Sequence, residues 1–352
     1  MATTQHKGNG AKLTAEDQVA RVFAWRRGFN AMHLIDLGLR LGLFKSFAET
    51  PDVTAQEVAD RLKLHAPYVE VWCMTAYSFE LLDALDDRRF RLAPYVNETL
   101  ANSAHPLYLG GYVQLGTQFA TEDYRMAVAA FGTGSTTPFQ GRSHDFAMVV
   151  AQALSGMNVM VARKLLSEIP GVKETLNEGG TVLEVGCGAG NLLIQIAKAF
   201  PSVRCIGVDI DPTGLAIARE AVKRAGFADR VTILEGDIGT AADEGAFDVV
   251  VMVQVLHEIS PELRPGVTRG CVRALRTGGW LVIVDETYPS ILAEARQPEF
   301  LFPVQTGIEE LMWGTMVPTR EEQERLLRKA GFNNVINRSL FGEGFTVLTT
   351  QK

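Results

Sequence analysis

The sequence has few cysteines and no close pair of them. The four cysteines are scattered along the 352 residues: Cys73, Cys187, Cys205 and Cys271. A chain without CxxC pairs is unsuited to a disulfide framework or a zinc site, so we expect a reducing compartment. The histidines outside the motifs described below have no partners at metal-ligand spacing, and no metal site is predicted.

Long hydrophobic segments are also absent. The longest apolar stretch, residues 249–256, is far shorter than the roughly 20 residues that a membrane helix needs. Residues 1–12 are polar and contain no hydrophobic run of the signal-peptide type. We therefore expect a soluble, cytoplasmic protein with no membrane partner.

The third feature that the sequence lacks is an excess of positive charge. It has 34 Lys and Arg against 41 Asp and Glu, a net charge of −7. An acidic chain has no general attraction for nucleic acid or anionic lipid. The composition, with 47% hydrophobic residues, 33 Gly and 14 Pro, is typical of globular proteins and excludes collagen-like and disordered classes. At about 100–200 residues per domain, the length predicts two or three domains.

The first 104 residues predict a helical domain with a small β-ribbon. Two helices, over residues 54–62 and 68–82, precede a turn and a strand near 86–92, an order that resembles a winged helix. Winged helices usually bind DNA, but residues 67–82 contain no Lys or Arg. Without cations to contact phosphates, this helix is better suited to packing or dimerisation. We predict a dimerisation domain over 1–104 and no nucleic-acid partner.

The remainder of the chain divides into a helical middle segment, 105–170, and an α/β domain, 171–352. The middle segment is rich in aromatic side chains and can serve as a lid or pocket wall. From residue 181 onward, unbroken apolar runs alternate with amphipathic helices, a pattern typical of buried parallel strands. Two final runs, 335–340 and 345–350, are joined by a Gly-Glu-Gly turn and predict a hairpin.

The first strand of the α/β domain ends in a glycine-rich motif. Glu184 is followed by three alternating glycines: Gly186, Gly188 and Gly190. Glycines let a ligand approach the backbone, and the N–H groups at the start of the next helix favour an anionic group such as a carboxylate. A dinucleotide-binding fingerprint requires its third glycine at position 191, which is Asn191 here. The spacing therefore disfavours a dinucleotide-dependent oxidoreductase, which remains an alternative.

Candidate ligand-binding residues also follow the next three strands. They are Asp209, Ile210, Gly236, Asp237, Ile238 and Gln254. Asp209 lies 23 residues after Gly186, where a carboxylate can accept hydrogen bonds from two ribose hydroxyls. Asp237 can accept from an adenine amino group while Ile238 packs on the ring. Open α/β sheets bind ligands at the carboxyl ends of their strands, where all of these residues are predicted to lie.

These motifs together resemble the class I methyltransferases that use S-adenosylmethionine, over residues 170–352. The resemblance implies a Rossmann-like, seven-stranded sheet whose last strand is antiparallel. It implies that Glu184 and the three glycines hold the methionine part of S-adenosylmethionine. It also implies that Asp209 binds the ribose, and that Asp237 with Ile238 binds the adenine.

The order of the domains narrows the resemblance to small-molecule O-methyltransferases of the plant caffeate type and their bacterial relatives. In those enzymes the N-terminal domain forms an intertwined homodimer. The resemblance implies that His257 is the catalytic histidine and that Glu286 orients it. A histidine suits the role of base, because a phenol with a pKa of about 10 attacks poorly until its proton is removed.

The chain departs from the plant pattern in two places. The stretch 314–320 lacks the glutamate that braces the histidine in those enzymes, although Glu309 or Glu310 could replace it, and Val253 stands where they have a lysine. A structural or substrate-orienting role for His257 therefore stays open. The predicted reaction is methyl transfer to a hydroxyl oxygen of a small aromatic or apolar metabolite. The alternatives are N-, C- or S-methylation without a general base and a ligand-sensing winged-helix regulator.

Overall fold

The structure is a computed structural model that describes residues 13–85, 88–342 and 344–352. The chain divides into two compact units, Met1–Ala104 and His105–Lys352. The polar segment 1–12, the turn at 86–87 predicted for the ribbon, and residue 343 of the predicted hairpin turn lie outside the described residues.

The first unit consists of helices and one antiparallel ribbon. Its elements are α1 (Ala15–Arg40), α2 (Leu43–Glu49), α3 (Ala55–Leu62), α4 (Ala66–Ser78), β1 (Leu82–Ala84), β2 (Phe90–Leu92) and a π-helical turn (Asn97–Ala101). Thr14 and Thr54 begin α1 and α3 with capping boxes, as Thr-x-x-Asp and Thr-x-x-Glu sequences favour. Phe44 and Trp72, whose ring centroids lie 5.3 Å apart, belong to this unit's core.

The second unit begins with a group of short helices. They are α5 (Gly110–Gln114), α6 (Thr121–Thr133), α7 (His144–Ala153), α8 (Ser155–Met160), α9 (Leu166–Glu168) and α10 (Val172–Asn177), with π-helical turns at Leu115–Ala120 and Val161–Leu165. Within the described residues no single helix is long and apolar enough to cross a membrane. One bent pair, His144–Ala153 with Ser155–Glu168, passes that test by length and composition.

The rest of the second unit alternates strands and helices. The strands are β3 (Thr181–Val185), β4 (Arg204–Asp209), β5 (Val231–Glu235), β6 (Phe247–Val253), β7 (Leu275–Glu286), β8 (Asn337–Phe341) and β9 (Phe345–Gln351). The helices are α11 (Asn191–Ala199), α12 (Pro212–Ala225), α13 (Ile238–Ala241), α14 (Arg264–Ala274), α15 (Pro298–Met312) and α16 (Arg320–Ala330), with a 3-10 turn at Leu292–Arg296.

The seven strands form one sheet in the order β5-β4-β3-β6-β7-β9-β8. β3 pairs in parallel with both β4 and β6, whereas β9 runs antiparallel to β7 and β8. The predicted seven-stranded sheet with an antiparallel last strand is therefore confirmed. The strand order reverses at β3, and such a switch point is where doubly wound sheets bind ligands.

One glycine of α14 is needed for packing beside the ligand-binding edge. A Cβ at Gly270 would lie 2.7 Å from Cγ2 of Ile238, whereas a Cβ at Gly266 of the same helix would meet nothing within 4 Å. We expect Gly270→Ala to lower the free energy of unfolding by about 1–3 kcal/mol through overpacking. Gly266→Ala should leave it unchanged or raise it by about 0.4–1 kcal/mol. Urea unfolding measures both; equal effects of the two variants would contradict this packing.

Candidate active site

The turn from β3 to α11 is shaped by its glycines. Gly186 has a φ of +72°, and a Cβ there would lie 2.5 Å from a methyl carbon of Val255. The Gly186 N–H donates to the carbonyl of Val208 (2.8 Å), which fixes the turn to the end of β4. A Cβ at Gly188 would meet nothing within 4 Å, so the backbone at the middle of the turn faces open space. This exposed backbone suits the close approach of a ligand.

Glu184 supplies a buried carboxylate directly before this turn. Its side chain is buried, and Oε2 has no hydrogen-bond partner. Burial, together with the nearby charge of Asp209, raises the pKa of Glu184 well above its usual value. A buried polar atom without a partner is rare in native proteins and points to a missing donor. The ammonium group of the methionine part of S-adenosylmethionine has the chemistry to be that donor.

Asp209 is held rigidly at the carboxyl end of β4. Its Oδ2 accepts from the backbone N–H of Gly188 (2.8 Å), and its Oδ1 accepts from the N–H of Asp211 (2.9 Å). Burial raises the pKa of Asp209 despite these hydrogen bonds. Each carboxylate oxygen has a second lone pair, so Asp209 can still accept from ribose hydroxyls. The same residue therefore shapes the glycine turn and offers acceptors beside it.

At the end of β5 the structure agrees only in part with the predicted adenine contacts. Gly236, with a φ of +138°, donates its N–H to the carbonyl of Asp209 (2.8 Å), and the exposed Asp237 caps α13 through the N–H of Gly239 (2.6 Å). Ile238, however, is 2% exposed and packed into the core, so the ring contact predicted for it is wrong. Ile210 is 61% exposed at the neighbouring strand end and offers apolar surface there.

His257 lies in the loop after β6 and is almost completely buried. Its Nδ1 donates to Oδ1 of Asp285 (2.5 Å). We predicted that Glu286 orients the histidine. This prediction is wrong, because the carboxylate that binds Nδ1 belongs to Asp285, the preceding residue of β7. Burial alone would lower the pKa of His257, but the charge and hydrogen bond of Asp285 outweigh it, so this pKa lies well above its usual value.

Three other carboxylates surround His257. Oε2 of Glu310, from α15, lies 3.8 Å from Nε2 of the imidazole, and Oε1 of Glu258 lies 4.0 Å from it. Glu286 and Glu310 each place an oxygen within 4.8 Å of a ring nitrogen of His257 and of each other. This group also has the spacing of a divalent-cation site, which the sequence did not predict. Burial raises the pKa of both Glu258 and Glu286 to about 8.

Glu309 and Glu310 were the candidates to replace the glutamate that supports the histidine in the plant enzymes, and the structure places Glu310 beside His257. Glu310 accepts a hydrogen bond from Oγ1 of Thr315 (3.0 Å) and is buried. Glu309 instead hydrogen-bonds with Tyr124 of α6. The carboxylate beside the histidine, Glu310, therefore belongs to α15 and precedes the stretch 314–320, in which the plant enzymes carry their glutamate.

A buried arginine, which the sequence analysis missed, fixes the histidine loop. Arg264 donates from Nε to the carbonyls of Leu256 (3.1 Å) and Ile259 (2.8 Å), and from Nη2 to that of His257 (3.1 Å). It also donates to the carbonyl of Met316. A lone arginine at the start of a helix carries no sequence signal for such a role. Gln254 is the first residue of the same loop and has a φ of +57°. Its buried Nε2 has no hydrogen-bond partner.

Aromatic side chains from the helical segment pack against the segment that follows α15. The ring of Phe139 lies 5.5 Å from that of Trp313, whose Nε1 donates to Asp123 (2.8 Å). Arg142 also donates to both oxygens of Asp123 (2.8 and 2.9 Å). These contacts join the predicted middle segment to α15, the helix that carries Glu310.

Comparison with known proteins gives the family context of this geometry. Residues 182–279 match the family described as a methyltransferase domain. The 3-hydroxy-5-methyl-1-naphthoate 3-O-methyltransferase of Streptomyces sahachiroi is 26% identical over 266 residues, covering 70% of this chain and 71% of that protein. Aclacinomycin 10-hydroxylase RdmB of Streptomyces purpurascens is 37% identical over 152 residues, 43% of this chain and 39% of its own length.

Solved structures share the fold over nearly the whole chain. Human N-acetylserotonin methyltransferase, solved in complex with S-adenosylmethionine, superposes with a TM-score of 0.79 at 18% identity, covering 97% of this chain and 99% of that one. The matched domain, the sheet order and the polar strand ends agree with the class predicted from the sequence. The chain is a class I methyltransferase, and its methyl donor is S-adenosylmethionine.

Proposed function

We propose that this enzyme methylates a hydroxyl oxygen of a small aromatic molecule, with His257 as the general base. The observation that carries the proposal is the buried pair of His257 and Asp285 at the end of the strand next to the glycine turn. The relative from Streptomyces sahachiroi is named as an O-methyltransferase, which supports an oxygen acceptor. Other relatives are named as an N,N-dimethyltransferase and an L-tyrosine C(3)-methyltransferase, so the acceptor atom is part of the proposal.

S-adenosylmethionine supplies a methyl group that is activated towards displacement by its positively charged sulfur. We assign Glu184 and the turn from Gly186 to Gly190 to its methionine part and Asp209 to its ribose. Ile210 and Asp237 are assigned to its adenine. The fit rests on the unpartnered Oε2 of Glu184 and the open space at Gly188.

In the proposed mechanism, Nε2 of His257 takes the proton of the acceptor hydroxyl. The oxygen would then form its bond to the methyl carbon as the methyl–sulfur bond breaks, with the electron pair of that bond kept by the neutral thioether that leaves. The hydrogen bond from Nδ1 to Asp285 directs Nε2 towards the acceptor and stabilises the imidazolium that results. Glu310, 3.8 Å from Nε2, adds to that stabilisation. Arg264 acts as a positioning residue through the backbone carbonyls around His257.

Asp209 provides the test of the cofactor site. We expect Asp209→Ala to weaken S-adenosylmethionine binding by about a hundredfold or more, because charge-assisted hydrogen bonds contribute roughly 1.5–3 kcal/mol each. Isothermal titration calorimetry measures the affinity. Asp209→Asn, which keeps the acceptor oxygen for the Gly188 N–H, should be less affected. Wild-type affinity in Asp209→Ala would contradict the assignment.

The Asp285–His257 pair predicts a specific pH dependence. Only neutral imidazole can accept the proton, so the raised pKa of His257 places the acidic limb of the kcat/KM profile above the usual histidine value of about 6.5. Asp285→Asn removes the negative charge that raises this pKa, so the limb should move to lower pH while the plateau falls.

The control for this prediction is His257→Gln, which should remove the acidic limb and most of kcat while S-adenosylmethionine affinity is retained. A profile that keeps its limb in His257→Gln would assign the titration to another group. Full turnover in that variant would reduce His257 to a structural residue.

We further propose that the first unit has a winged-helix-like fold and forms a homodimer in the cytoplasm without binding nucleic acid. The order of α3, α4 and the β1–β2 ribbon supports the fold. Helix α1 leaves six large apolar side chains exposed, an unusual cost for a monomer: Val19, Val22, Phe23, Trp25, Phe29 and Leu37. Acidic composition and a cation-free α4 argue against DNA as the partner.

The dimer is tested by placing charge on this helix. Phe23→Glu combined with Trp25→Glu should convert a dimer to a monomer in light scattering coupled to size-exclusion chromatography, because two charges would be buried in the interface. Leu292→Glu, at a residue of the second unit that is 90% exposed, is the control and should stay dimeric. A monomeric wild type would contradict the proposal.

A further inference from the structure

The active site holds more carboxyl groups than cations. On the Nδ1 side of His257, Asp285 pairs with the imidazole at 2.5 Å. On the Nε2 side lie Glu310 at 3.8 Å and Glu258 at 4.0 Å, and Glu286 lies within 4.8 Å of the same group. A single imidazole is therefore surrounded by four carboxyl groups.

Two arginines of this unit, Arg264 and Arg142, bind other partners. The guanidinium of Arg264 donates to backbone carbonyls, and that of Arg142 donates to Asp123. Among the described residues, Glu258 and Glu310 form ion pairs with His257 alone. Within these residues, Glu258, Glu286 and Glu310 therefore have no lysine or arginine as an ion-pair partner.

Glu286 gives an independent indication that a ligand completes the group. Its side chain is 3% exposed, and its Oε2 makes no hydrogen bond. The neighbouring Asp285 has taken the contacts with the histidine and with the backbone N–H groups of Leu256 and Glu286. A buried carboxylate oxygen without a donor is costly, so a ligand that supplies a donor at this point is strongly favoured.

We propose that the methyl acceptor carries a protonated amine close to its hydroxyl group, and that Glu286 and Glu310 bind this ammonium while the hydroxyl faces His257. The inference rests on the proposed function, because it places the hydroxyl at the base. An ammonium has three N–H donors and a positive charge, so it can donate to the unpartnered oxygen of Glu286 and stabilise the ionised form of the carboxyl groups around it.

The geometry around Glu286 also favours such an acceptor. Its buried Oε2 has no donor, and an arriving ammonium gives this oxygen a charge-assisted hydrogen bond. A neutral acceptor of the same shape leaves the carboxylate without a partner, and sites built for a polar group reject analogues that lack it.

The test compares matched pairs of small phenols by calorimetry in the presence of S-adenosylhomocysteine. Each of 2-, 3- and 4-(aminomethyl)phenol is compared with the ethylphenol of the same substitution pattern. The two members of a pair differ in that the first carries an ammonium where the second carries a methyl group of similar size. We expect at least one aminomethylphenol to bind roughly tenfold or more tightly than its ethyl partner. Equal binding, or no binding, in all three pairs overturns the proposal.

Variants connect the preference to the residues. Glu286→Gln and Glu310→Gln should each reduce the ratio of the two affinities to within about threefold, a loss of most of the charge-assisted contribution. Glu309→Gln is the matched control, because Glu309 is the chain neighbour of Glu310 but hydrogen-bonds with Tyr124. It should keep the wild-type ratio. Circular dichroism checks folding, and a preference that survives both variants at Glu286 and Glu310 overturns the proposal.

A divalent metal ion is the competing occupant of the same group. The titrations are therefore repeated with EDTA and with added Mn²⁺ or Zn²⁺. Stoichiometric metal binding that Glu286→Gln abolishes, without an amine preference in EDTA, would overturn the proposal in favour of a metal site. Methyl transfer is measured separately. An amine preference without O-methylation of any phenol contradicts the proposed function alone, whereas O-methylation without an amine preference contradicts this inference alone.

Discussion

The carboxylate of Asp285 is the interaction on which the arrangement of the active site depends. Its Oδ2 accepts from the N–H groups of Leu256 (2.6 Å) and His257 (3.4 Å), and its Oδ1 accepts from Nδ1 of His257 and the N–H of Glu286 (2.7 Å). Two adjacent parallel strands, β6 and β7, end at this point. A single buried side chain thus joins the two strand ends and fixes the direction of the imidazole. All of these contacts come from donors of the chain itself, so the carboxylate is held in place behind the histidine.

The glycine turn after β3 and the histidine loop after β6 pack against each other. Val255 lies in the loop between β6 and His257, and its methyl carbons would lie within 3 Å of any Cβ at residue 186. Glycine at 186 is therefore required twice, for the left-handed backbone of the turn and for the packing of the histidine loop against it. Asp209 similarly joins β4 to the turn through Gly188 and to the end of β5 through Gly236. The positions that we propose for the methyl donor and the acceptor are consequently set by the same few backbone contacts.

The sheet could be predicted from the sequence because its strands are buried on both faces and therefore appear as continuous apolar runs. The strand-end carboxylates could be located for the same reason. Adjacent side chains could not be told apart, however. Asp285 and Glu286 are neighbours at the end of β7, and successive residues of a strand face opposite sides, so a shift of one residue changes which of them meets the histidine. Ile210 and Ile238 posed a similar problem, since only burial distinguishes the exposed side chain from the core one. Glu310 reaches His257 from α15 through a tertiary contact, which local patterns do not encode.

The distribution of charge around His257 agrees with the base role proposed for it. One carboxylate lies behind the imidazole, and three face its other nitrogen or lie close to it. The oxygen of an acceptor that had already lost its proton would carry a negative charge next to these carboxylates and be repelled in a poorly solvated site. In the proposed mechanism the acceptor therefore enters as the neutral hydroxyl and loses its proton inside the site to His257, whose protonated form gains from the surrounding charge. Once protonated, His257 is stabilised by every carboxylate near it, so the charge that excludes a phenolate from the site also favours the proton transfer that generates one.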